Sequence, residues 1–75
     1  MEANLIELNK LIHNSDTESI KQWMLSNNYT FAIDYELNEV ELVLYNKYIS
    51  SLSVFETICK TDTEALIQTA NYIIS

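Results

Sequence analysis

Seventy-five residues with an apolar fraction of 48% suffice for one small domain, at the size where a single core is only marginally stabilising. One cysteine excludes an intrachain disulfide, and no cysteine–histidine cluster offers a structural zinc. The net charge of −7, from eleven acidic residues against four lysines with no arginine, opposes direct nucleic-acid binding and anionic membrane surfaces, and it suits a basic protein partner.

The N-terminus, Met1-Glu2-Ala3-Asn4-Leu5, carries no basic leader region, and no stretch reaches transmembrane length. A lone unpaired cysteine fits a reducing cytoplasm. Glycine and proline are both absent, where average usage supplies about nine between them. Asparagine, which tolerates the left-handed conformation best after glycine, is expected to take over the turns at Asn14, Asn27, Asn28, Asn38 and Asn46. Without a glycine-rich loop, the familiar phosphate-cradling sites are excluded.

Residues 2–13 predict a first helix, with Leu5, Leu8 and Ile12 at helical spacing and Met1 and Leu11 widening the stripe. Ile6 lies off that stripe. Ser15-Asp16-Thr17-Glu18 has the form of a capping box and starts a second helix with Ile20, Trp23 and Met24 as its apolar positions, ended by Asn27-Asn28.

Tyr29 to Tyr45 reads as one β-hairpin closed at Leu37-Asn38. Folding there places Tyr35 opposite Val40, Ile33 opposite Leu42 and Phe31 opposite Leu44, all on one apolar face. The other face receives Glu36 opposite Glu39, Asp34 opposite Glu41, Ala32 opposite Val43 and Thr30 opposite Tyr45.

A third strand falls within residues 50–59, its register open. A two-residue turn at Asn46-Lys47 followed by strict alternation puts Ile49, Ser51, Ser53, Phe55 and Thr57 inward and leaves Leu52, Val54 and Ile58 outside. A longer loop, or a bulge around Ser50-Ser51, returns Leu52 and Val54 inward. Thr61-Asp62-Thr63-Glu64 is a second capping box, opening a final helix with the stripe Leu66, Ile67, Ala70, Ile73 and Ile74, from which Gln68 and Tyr72 face away.

The fold class is thus α+β, in the order ααβββα, a three-stranded antiparallel meander with helices on one face. The αβββα portion resembles double-stranded-RNA-binding domains in element order alone. Such a domain implies lysines in the first turn of its last helix, where this chain has Asp62, Thr63 and Glu64, and the charge balance opposes that function.

The inventory for chemistry is thin. Cys59 with His13 is the one nucleophile–base pair on offer, without an orienting group or an oxyanion site. His13, Asp16 and Cys59 have no recognisable metal-ligand spacing, and the hairpin carboxylates do not match a calcium loop. No catalytic residue, cofactor or metal is expected.

The acidic tip is the sharpest signal. Like charges directly across a strand pair are unfavourable, yet Glu36–Glu39 and Asp34–Glu41 occur together. Charged hairpin ends also block edge-to-edge aggregation, but edge protection more often uses lysine and does not need both strands. Below the tip, Ala32, Val43 and Tyr45, with Tyr48 beyond, continue into an apolar strip left uncovered by helices on the opposite face unless the N-terminal helix crosses over through Ile6. Asp34, Glu36, Glu39, Glu41, Val43 and Tyr45 are therefore the expected partner-binding residues. The expected function is a non-enzymatic cytoplasmic module that docks a basic protein surface, in one form a small inhibitor presenting carboxylates in place of phosphates, a device of phages and mobile elements. The alternative is a self-associating structural protein that dimerises through the same sheet face.

Overall fold

The computed structural model describes residues 2–75, and the contribution of Met1 to the first helical stripe lies outside them. The element order is α1 (Ala3–His13), α2 (Thr17–Ser26), β1 (Thr30–Tyr35), β2 (Val40–Tyr45), β3 (Ser53–Cys59) and α3 (Asp62–Ile74). The sheet is an antiparallel meander with β2 central. No helix among the described residues is long and apolar enough to cross a membrane.

The hairpin has the register that alternation predicts, from Thr30 opposite Tyr45 to Tyr35 opposite Val40. Val40, Leu42 and Leu44 are buried, and Phe31 and Ile33 are half-buried against the same core. Tyr35 shares their side of the sheet but is 63% exposed, because it sits at the sheet's end beyond the helical cover. There its hydroxyl donates to Asp62 Oδ2 at 3.0 Å.

α3 lies directly on β2 and β3, while α1 and α2 pack against α3 and each other. Its innermost face is Ala65, Leu66, Thr69 and Ala70, all fully buried. Ile67, Ile73 and Ile74 flank this stripe half-buried. The Thr69 hydroxyl is satisfied by donating to the Ala65 carbonyl at 2.8 Å. Gln68 and Tyr72, expected to face away, reach back to β3 instead. Gln68 accepts from the Thr57 hydroxyl, and Tyr72 stacks on Phe55 with ring centroids 4.8 Å apart. Leu8, Ile20, Trp23 and Met24 complete the core. The Trp23 indole N–H donates to the Asn4 carbonyl at 3.0 Å, joining α2 to the start of α1.

The helix starts differ in detail from the capping boxes. α3 forms the Thr61 half of its box, the Thr61 side chain accepting from the Glu64 N–H. α2 is capped by Asp16, which accepts from the Ser19 N–H and hydroxyl, and not by Ser15. Ser15 instead takes φ 50 to turn the corner. Of the asparagines, only Asn28, at φ 64, adopts the left-handed conformation. Asn14 and Asn27 end helices with negative φ, and Asn46 acts through its side chain, whose Oδ1 accepts from the N–H groups of Tyr48 and Ile49.

The β2–β3 connection is the longer of the two closures, spanning residues 46–52 and closed by Asn46 N–H donating to Leu52 O at 2.8 Å. The irregularity falls at Val54, since Leu44 faces Phe55 and Tyr45 faces Ser53. Val54 is thereby half-buried, and simple alternation holds from Phe55 to Cys59, leaving Ile58 outside.

Candidate protein interface on the outer sheet face

Cross-strand register builds the outer face row by row, because directly paired residues project to the same side. At the tip, Glu36 N–H donates to Glu39 O at 2.8 Å, bringing their carboxylates onto a two-residue turn at Leu37-Asn38. The next row is Asp34, Glu41 and Ile58, then Ala32, Val43 and Glu56, then Thr30, Tyr45 and Ser53. β2 is flanked on both sides, so Glu41, Val43 and Tyr45 are half-buried, whereas Ala32, Asp34, Glu36, Glu39, Glu56 and Ile58 are exposed.

All six expected partner-binding residues share this face. Glu56 and Ile58 join them, extending the acidic and apolar character across the third strand. Strict alternation carried from Asn46-Lys47 already leaves Ile58 outside, and with it Glu56 between Phe55 and Thr57; the open register of the third strand kept both out of the expected set. Tyr48, expected to prolong the strip, stands 93% exposed in the 46–52 loop and is off the sheet. α1 does not cross to this side, since it packs on α2 and α3 with Ile6 exposed.

No strand residue is a lysine, and none of these carboxylates has an ion-pair partner among the described residues. The ion pair present, Lys21–Glu18 at 4.0 Å, lies within α2, and Lys47 Nζ sits 4.1 Å from the centroid of the Tyr29 ring. Beside the tip, an open concavity of about 750 Å³ separates the hairpin end from the start of α3, lined by Tyr35, Glu36, Glu39, Lys60 and Asp62 among others. The hydrogen bond to Asp62, some desolvation and the nearby carboxylate charge together raise the Tyr35 phenol above its usual pKa.

The surface can accept hydrogen bonds and attract cations, and its apolar rows can bury against a partner. Cys59 is buried, with its sulfur 3.4 Å from the Thr57 hydroxyl, whereas His13 is exposed at the end of α1. Among the described residues, no three His, Cys, Asp or Glu side chains cluster as metal ligands. No protein-family model, curated protein or solved structure matches the chain.

Proposed function

We propose that this chain is a non-enzymatic binding module of the reducing cytoplasm that docks a basic protein surface through the outer face of its sheet. Asp34, Glu36, Glu39 and Glu41 supply the charge, and Val43 and Tyr45 supply apolar contact below them. The observation that carries the reading is the uncovered face itself: paired carboxylates, no lysine among them and an apolar strip alongside. Unpaired charge of one sign raises association rate and selects an oppositely charged partner, while the neighbouring apolar rows contribute burial. In its most specific form the module is an inhibitor that occupies a nucleic-acid-binding groove. Stacking this face on its own copy opposes acid to acid, which favours a different, basic partner over a face-to-face dimer.

Parallel affinity capture from the native host with the wild type and with D34N/E36Q/E39Q/E41Q, read by mass spectrometry, tests this. Basic proteins retained by the wild type and lost by the amide variant are expected. Equal capture by both at moderate salt overturns the proposal.

A further inference from the structure

The backbone of β1 offers a second binding surface, distinct from the carboxylate face. Because Glu36 N–H donates to Glu39 O across the turn, the even-numbered residues of β1 direct their backbone groups to β2. The N–H and C=O groups of Phe31, Ile33 and Tyr35 therefore point to the open edge, where none has another partner among the described residues. Native sheets shield such edges with lysine, proline, bulges or covering segments. β3 has two deterrents, the bulge at Val54 and an acidic residue, Glu56, midway along its free row 54–56–58. Symmetric pairing of β3 would set Glu56 against its own copy. β1 has neither lysine, proline nor bulge.

We propose that β1 pairs antiparallel with β1 of a second copy, centred on Ile33, joining two sheets into one of twice the width. Centring on Ile33 matches all of the free backbone groups: Ile33 bonds Ile33 of the second copy, and Phe31 bonds Tyr35 in both directions. Centring on Ala32 instead would recruit Tyr29, whose N–H already donates to Met24 O. Side chains agree with the Ile33 centre. On the helical side, Ile33 meets Ile33 and Phe31 meets Tyr35, covering the apolar side chain that β1 leaves most exposed. On the outer side, Asp34 meets Ala32 and Glu36 meets Thr30, so no carboxylate faces another despite a charge of −7 on each copy.

Sedimentation velocity from micromolar to millimolar protein, at moderate salt to screen the net charge and with no partner present, tests this independently of the carboxylate-face reading. The wild type is expected to pass from monomer to dimer, with amide exchange at Phe31, Ile33 and Tyr35 slowing in step. Ala32 is exposed and faces Asp34 of the second copy twice per dimer. A32E is therefore expected to weaken dimerisation, roughly 2- to 30-fold in Kd, and A32K to bind more tightly than A32E. Circular dichroism checks that both variants fold. A wild type that stays monomeric at millimolar concentration overturns the proposal, as does A32K dimerising no better than A32E.

Discussion

Removing the acidic tip should strengthen the fold that carries it. In D34N/E36Q/E39Q/E41Q each carboxylate becomes an amide of nearly the same shape, so the half-buried stem of Glu41 keeps its packing and only charge is lost. Two like-charge pairs disappear, Asp34–Glu41 across the ladder and Glu36–Glu39 across the turn. Directly opposed side chains stand roughly 4.5–5.5 Å apart at Cβ, and each pair contributes roughly 0.2–1 kcal/mol. The gain is thus about 0.4–2 kcal/mol, at the lower end where solvent reaches both groups. With about 4–8 °C per kcal/mol for a domain of this size, Tm should rise by roughly 2–16 °C. Thermal melts followed by circular dichroism at low and high salt give the check. Salt should raise the Tm of the wild type more than that of the variant, because the screening length falls from about 30 Å at 0.01 M to about 3 Å at 1 M. A variant that melts at or below the wild-type temperature at low salt refutes the cross-strand repulsion, and so removes the local cost from which a binding role for the tip is argued.

Two further outcomes follow from the helix start and the sheet end. Thr61→Ala and Asp16→Ala should each cost about 0.5–2 kcal/mol in urea unfolding through loss of a helix cap, whereas Ser15→Gly should leave stability unchanged or higher by up to about 1 kcal/mol, because glycine relieves the left-handed φ of 50. The raised pKa of Tyr35 means that its bond to Asp62 contributes stability below the unfolded phenol value of about 10, and that this contribution is lost as pH rises through the higher folded value. Ultraviolet titration should therefore show a tyrosine ionising late in the wild type and earlier in D62N, with the effect kept small by the exposure of the ring.

The hairpin, the helices and their order were legible because each rests on a local rule. Alternation along residues 29–45 has a period of two and a single short closure, so one register puts Phe31, Ile33, Tyr35, Val40, Leu42 and Leu44 on one face. Leu5, Leu8 and Ile12, and likewise Leu66, Ala70 and Ile73, repeat at helical spacing, and Thr61 marks the start of α3 by its own side chain. The same register sets Asp34, Glu36, Glu39, Glu41, Val43 and Tyr45 together on the other face.

The remainder depended on contacts distant in sequence. Whether Ser15 or Asp16 caps α2 is decided by the corner that α1 and α2 must turn to pack together, which requires the positive φ at Ser15. The third strand regains its register only after the bulge at Val54, and that adjustment lets Phe55 reach Tyr72 on α3 while Glu56 and Ile58 stay outside. Ala65 and Thr69 are buried because α3 has the sheet on one side and α1 and α2 on another, a cover that periodicity alone does not measure. Which faces the sequence makes apolar follows from spacing along the chain. Which of them is left uncovered, and which edge is left unpaired, follows only from where every other element comes to rest.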